Sequence, residues 1–280
     1  MRGFMCYYFI MNTLKSKDTK AYGKINLSLR IVGERADGYH EIESFMQSVD
    51  IYDDGRVKLV ADKRHEIRIR GMRMKPEKNI AYKAAAAMRE AFGIGDSVEI
   101  EIVKRLPVAA GMAGGSADCA AVLSCIGDLC GIKDAVKMNK IAASLGADVA
   151  FCLAVQKGIP AASCSGIGEI ISAAKPMDYH VLIATPDIYV PTKDVYKELR
   201  PGEFSRPGEA FAFCNDLAAP ALRLYPEIQN TMDALKQIDS PVKVQLSGSG
   251  PTVFALYDHK PSIAEKPEGL RFFELTRTRI

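Results

Sequence analysis

The chain has 280 residues, 48% of them hydrophobic and 25% charged, with a formal net charge of +3. This is ordinary for a globular protein and enough to bury the core of one large domain or two smaller ones. The mild basic bias suits an anionic ligand but is too small and too dispersed for nucleic-acid binding, and no apolar run reaches the roughly 18 residues of a membrane span. There are seven cysteines, an odd number with no Cys-x-x-Cys pair and several in apolar stretches, which predicts a reduced, cytoplasmic protein.

The N-terminal stretch MRGFMCYYFIM is apolar with one basic residue, but NTLKSKDTK follows it with no small-residue cleavage site. Residues 1–19 are expected to be a disordered extension, with Met11 as a native start. The segment YGKINLSLRIVG then alternates. Ile25, Leu27, Leu29 and Ile31 fall on one face and Lys24, Asn26, Ser28 and Arg30 on the other, the pattern of a half-buried strand. RADGYHE reads as a turn, and further strands are expected over 41–49, 57–60, 66–69 and 98–103. The alanine-rich residues 79–91 read as a helix. A glycine-rich loop, PVAAGMAGGSADCAAVLSCIGDLCG, follows; its second half is helical to about Gly131, and 138–145 form a short helix closed by Gly146. Beyond Lys157, strands are expected around 167–172 and 179–185 and helices near 191–199, 216–222 and 226–237. Two strand-like runs, VKVQLS and TVFALY, come last, joined through Gly248, Ser249, Gly250 and Pro251. Strands and helices mix without strict βαβ alternation, so the fold class is α+β, with a domain boundary near 153–160.

The glycine-rich loop is the strongest local signal. Pro107, Val108, Ala109 and Ala110 lead into Gly111, Met112, Ala113, Gly114, Gly115 and Ser116 at a helix start. Glycines let backbone N–H groups approach a phosphate, and a helix N-terminus adds unpaired N–H groups with partial positive charge. The spacing fits neither GxGxxG nor GxxxxGK[ST], so the Rossmann and Walker readings fail; the bland alternative is a tight turn with a serine cap. Asp148, in LGADVAF, is either a base for a substrate hydroxyl or a turn former. Lys24 either stabilises a phosphoryl group or sits on a solvated face. Tyr39 and His40, after a turn glycine, either meet a ligand or pack at the surface. SGSGPT, with Gly248 and Ser249, is either a second backbone cradle or a tight connection. What decides among these is their order along the chain.

With AYGKINLSLRIVG first, PVAAGMAGGSADCA next and LSGSGPTVFALY near the end, the sequence resembles the GHMP kinases over roughly residues 20–258. The resemblance implies a two-domain GHMP kinase fold, with a ribosomal-protein-like N-terminal domain over 20–155 and a ferredoxin-like C-terminal domain over 156–280. It implies an ATP-dependent small-molecule kinase whose two substrates meet between the domains. KINLSLRIVGERADGYHEIES, GADVAFCL and GIGE are similar to the branch of the family that phosphorylates the 2-hydroxyl of 4-diphosphocytidyl-2-C-methyl-D-erythritol, a step of the non-mevalonate route to isoprenoid precursors.

Carried over onto this sequence, the resemblance implies that Asp148 is the catalytic base and Lys24 its neighbour, with Asn26 close to the substrate. Tyr39 and His40 would recognise cytosine, Tyr196 in VPTKDVY would be a second aromatic against the base, and residues 107–116 would hold the ATP phosphates. ATP with Mg²⁺ is expected, and no His/Cys cluster suggests a built-in metal site. The expected partner is cytidyl diphosphate methylerythritol, with no nucleic acid and no membrane, and the expected assembly is a monomer or weak homodimer. The usual loop reads closer to GLGGGSSDAA. Met112 therefore stands for Leu, Ala113 for Gly and Ala117 for the second Ser, and LAVQKGIPAASCSGIGE lacks the usual Gly-rich form. The Cβ of Ala113 is expected to restrict a positive φ, and Ala117 removes a hydroxyl that could serve phosphate or metal. Two alternatives stand beside this reading. One is a homoserine or mevalonate type of GHMP kinase, for which a cytosine clamp is useless. The other is a non-enzymatic ATP- or RNA-binding protein.

Overall fold

A computed structural model describes residues 14–62, 64–71, 74–208 and 212–280. Strand β1 (Leu14–Glu34) and strand β2 (His40–Val60) form a long antiparallel hairpin whose ladder runs from Glu34 opposite His40 to Leu14 opposite Val60. The reversal at 35–39 is closed by the Arg35 N–H donating to the Tyr39 carbonyl at 2.7 Å, with Gly38 at φ +80°. Residues 14–19 belong to this ladder, which corrects the expectation that everything before Lys20 is disordered; residues 1–13 lie outside the described residues.

The two strands expected over 41–49 and 57–60 are one. Asp53, Asp54 and Gly55 look like a turn in sequence, but here both edges of β2 are paired, with β1 on one side and β4 (Ser97–Val103) on the other. Asp53 is fully buried and accepts from the amides of Arg105 and Leu106, so the ladder passes through it. Strand β3 (Ile67–Arg70) pairs parallel to β4.

Four helices cover one face of this sheet. Helix α1 (Ile80–Phe92) starts at Asn79, whose side chain accepts from the Ala81 N–H at 2.8 Å, and ends at Gly93 in the left-handed region. Helices α2 (Gly114–Leu129), α3 (Ala135–Leu145) and α4 (Ala147–Gln156) follow. Ala81, Ala84 and Ala85 are fully buried, and such small side chains let α1 lie close against α2. Leu123 and Phe151 fill the space above Val57, Leu59 and Ile100.

Strands β5 (Ala161–Ser165) and β6 (Ile170–Ala173) replace the single strand expected over 167–172, and both extend the first sheet through the pairing of β5 with residues 44–47 of β2. They follow the expected boundary in sequence yet join the N-terminal sheet. The short strand β8 (Cys214–Asn215) also returns to it, beside β1. The second sheet is antiparallel, in the order β11 (Leu270–Arg277), β7 (His180–Pro186), β10 (Val253–Tyr257), β9 (Lys243–Leu246). Its central strands are apolar on both faces. Ile183, Phe254 and Leu256 pack on Ile25, Leu27 and Val49 of the first sheet, while Leu182, Ala184 and Val253 pack toward Ile228 and Leu235. These last two come from α7 (Glu227–Lys236), which follows α5 (Thr192–Lys197) and α6 (Ala218–Leu224).

Candidate active site

Where the two sheets meet, a cavity of about 760 Å³ opens. Lys24, Asn26, Tyr39, His40, Gly111, Ser116, Asp148, Tyr196, Gly248 and Ser249 all line it. A more open groove of similar volume lies around Tyr22 and Arg279 and contains none of the residues singled out from the sequence.

The floor is the β1–β2 hairpin. Lys24 is only 3% exposed, yet its chain places an ammonium at the cavity wall. Its Nζ donates to Asn26 Oδ1 at 2.6 Å and lies 3.5 Å from Asp148 Oδ2. Asp148 opens α4 rather than forming a plain turn, and a carboxylate is well placed in the first turn of a helix. Its side chain is one-third exposed, so it can meet a ligand hydroxyl.

The glycine-rich loop closes one side. Gly111 has φ +78°, and a Cβ there would lie 2.2 Å from the Ser247 carbonyl oxygen, so conformation and space both demand glycine. The loop is tied down from two directions. The Lys24 N–H donates to the Met112 carbonyl at 3.1 Å, and the Ser247 hydroxyl donates to the Gly111 carbonyl at 2.9 Å. Ala113 is the N-cap of α2 and offers no side-chain acceptor to the first-turn amides, which leaves them for an anion. Ser116 lies inside the first turn and faces the cavity; it is not the cap. Met112 is fully buried in the core between the sheets, so its side chain packs inward and is not part of the cavity wall. Val108 is exposed, and its carbonyl accepts from Arg271 at 2.9 Å.

The opposite wall is aromatic. The His40 ring sits 5.2 Å from that of Tyr196 and 5.9 Å from that of Phe204, while Tyr39 is 59% exposed at the rim. Ser249 shares a 2.8 Å hydrogen bond with Thr192. The Asn215 amide donates to the Leu246 and Gly248 carbonyls, both at 2.8 Å, and holds the SGSG turn in place.

Several of these residues escaped the sequence reading. Thr192 stands four positions before Tyr196, one helical turn away on the same face, which is a legible signal. Phe204 had no signal. Beneath the glycine loop, Lys104 donates to Asp118 at 2.8 Å and also to Asp53. Both carboxylates are buried, and a lone Asp in an otherwise small apolar helix is a sign of such a partner. Burial and the neighbouring Asp53 push the Asp118 carboxyl up to about 7 against the pull of the Lys104 ammonium.

Residues 79–156 match the family model for the GHMP kinases N terminal domain, and residues 195–272 match that for the GHMP kinases C terminal. The 4-diphosphocytidyl-2-C-methyl-D-erythritol kinase of Caldicellulosiruptor bescii is 33% identical over 273 residues, covering 91% of this chain and 94% of that protein. That of Clostridioides difficile is 37% identical over 262 residues, covering 86% of each. A crystal structure of 4-(cytidine 5'-diphospho)-2C-methyl-D-erythritol kinase aligns with a TM-score of 0.75 at 30% identity, covering 94% of this chain and 99% of that one. A homoserine kinase from Cytophaga hutchinsonii shares the fold, with a TM-score of 0.63 at 19% identity, covering 90% of this chain and 87% of that one.

Proposed function

We propose that this chain, which belongs to the GHMP kinase family, transfers the γ-phosphoryl group of ATP to the 2-hydroxyl of 4-diphosphocytidyl-2-C-methyl-D-erythritol in the non-mevalonate isoprenoid route. The observation that carries the reading is the Lys24–Asp148 pair, 3.5 Å apart, in one cavity with a glycine-rich helix start and an aromatic wall. An alcohol is a poor nucleophile while neutral. Asp148 accepts its proton as the new O–P bond forms and the bond to the ADP leaving group breaks. Lys24 offsets negative charge on the transferring group. The amides at the start of α2 hold the phosphates, and Tyr39, His40 and Tyr196 take the cytosine ring by stacking and edge hydrogen bonds.

Among the described residues no group of three or more His, Cys, Asp or Glu could hold a metal by itself. The oxygen donors Ser116 and Asp148 suit a hard cation such as Mg²⁺ arriving with the nucleotide. When bound, that cation would neutralise phosphate charge. Six free cysteines among the described residues support a reducing, cytoplasmic setting, and no described helix is long and apolar enough to cross a membrane. The proposed assembly is a monomer or weak homodimer.

A coupled ADP-release assay tests the reading by comparing the cytidyl substrate with homoserine and mevalonate. Turnover with the cytidyl substrate alone is expected; turnover with either of the others, and none with it, overturns the substrate assignment.

A further inference from the structure

We propose that Ser44 is a positioning residue for phosphoryl transfer, one that fixes which way the Asn26 amide faces and, through it, holds the Lys24 ammonium in place. The proposal rests on the kinase reading above. Ser44 does not line the cavity that holds Lys24 and Asp148, so it acts through Asn26 and not on a ligand.

The available hydrogens decide which way the amide faces. A serine hydroxyl has one to give. Ser44 gives it to the Ser28 carbonyl at 2.6 Å. Toward Asn26, 3.0 Å away, the Ser44 oxygen can therefore only accept, so the amide must turn its NH₂ to Ser44 and its oxygen to Lys24. Reversing the amide would set its NH₂ against the ammonium and its oxygen against the Ser44 lone pairs. All three side chains are buried, Lys24 at 3%, Asn26 at 1% and Ser44 at 4% exposure, so water cannot relieve either mismatch. With the amide held, one Lys24 hydrogen is committed to Asn26 Oδ1 at 2.6 Å, and the head group stays within 3.5 Å of Asp148.

The local backbone explains why a serine stands here. The β1–β2 register shifts between Asn26 and Ser28, a bulge that leaves ladder groups without their regular partners. Serine side chains take over: the Phe45 N–H donates to Ser28 Oγ at 3.0 Å, and Ser44 serves the Ser28 carbonyl. Repair of the bulge alone would make Ser44 purely structural, and the test must separate the two roles.

Steady-state kinetics of Ser44→Ala, Ser44→Thr, Asn26→Ala and the Ser44→Ala/Asn26→Ala double variant do so. Ser44→Ala should lower kcat about 5- to 10-fold, the size of one net hydrogen bond, with KM for ATP within about twofold. Ser44→Thr, which keeps the hydroxyl, should restore kcat. The double variant should be no slower than Asn26→Ala, because the two side chains act in series. Wild-type kcat in Ser44→Ala, or losses that multiply in the double variant, would overturn the proposal. If Ser44→Ala does not fold, Ser44→Cys keeps the volume with a poor acceptor and carries the same expectations. Lys24→Met in the same assay separates the two readings. If it is impaired while Ser44→Ala is normal, only the Ser44 inference falls; if it keeps full kcat, the catalytic assignment falls and the inference with it.

Discussion

Asp148 and Lys24 lie far apart in sequence, and only the docking of α4 against β1 brings them to 3.5 Å. Asp148→Asn keeps the shape of the helix start but cannot take a proton. Its kcat should fall by about 10²–10⁴, with ATP and the cytidyl substrate still bound, and combining it with Lys24→Met should add little, since paired catalytic groups are non-additive. Retention of more than a tenth of wild-type kcat would remove Asp148 from proton transfer. Two departures from the usual loop sequence resolve differently. Ala117 is 1% exposed and packs in the core between helices and sheet, so a hydroxyl at that position would face away from the cavity. Ala113 does adopt the left-handed conformation, at φ +57° and ψ 28°. Ala113→Gly relieves about 1–2 kcal/mol of steric cost and loses about 0.4–1 kcal/mol through the freer unfolded chain. A net stabilisation of about 0.5–1 kcal/mol is expected, read as a shift of the urea midpoint at unchanged slope; a lower midpoint would show that the loop tolerates alanine without strain.

At the level of elements, the hairpin gives a test of what residues 14–19 contribute to the fold. A chain starting at Met11 keeps β1 whole. One starting at Lys20 loses the ladder positions opposite residues 55–60 of β2 and bares that edge of the sheet. Its melting temperature should drop by at least about 2–4 °C, the shift that 1 kcal/mol produces in a chain of this size. Equal melting temperatures would make residues 14–19 dispensable, as their sequence suggested. The same hairpin shows what sequence can and cannot reveal. Alternation from Lys24 to Ile31 marked the strand because one face meets a core. The capped alanine helix α1 was equally plain. LKSKDT lacks apolar alternation, and Asp53-Asp54-Gly55 carries turn chemistry; both become strand only because neighbours pair with them on the finished sheet. Helix α4 was hidden by the Gly146-Ala147-Asp148 start, and β11 by a register shift at Arg271 that breaks its alternation. In the candidate site, residues inside motifs were legible, whereas Phe204, Lys104 and Asn215 owe their places to tertiary approach.

For the molecule as a whole, the two sheets are fastened at the site itself. The Gln245 amide donates to the Asn26 carbonyl at 3.0 Å and to the Cys214 carbonyl at 3.1 Å, and the SGSGPT segment bonds to the glycine loop through Ser247 and Thr252. Global stability should therefore register the charge state of the cluster beneath that loop. Lys104 is one ammonium between two buried carboxylates, and Asp118 Oδ1 has no hydrogen-bond partner among the described residues. Burial, with Asp53 beside it, raises the Asp118 pKa from 3.8 to about 7 despite Lys104. A carboxyl whose folded pKa is raised holds its proton more tightly in the native state than in the unfolded one. Its contribution to stability is complete below about pH 4 and is lost as pH rises through about 7. Asp118→Asn mimics the protonated carboxyl at every pH and removes this dependence. Melting temperatures of wild type and Asp118→Asn should be close near pH 4.5 and diverge toward pH 8, with the asparagine variant the more stable at the alkaline end. The difference between the two proteins cancels the titrating groups outside the Lys104–Asp53–Asp118 cluster, so a gap that stays constant across this range would mean that Asp118 is ionised throughout and that Lys104 balances both carboxylates.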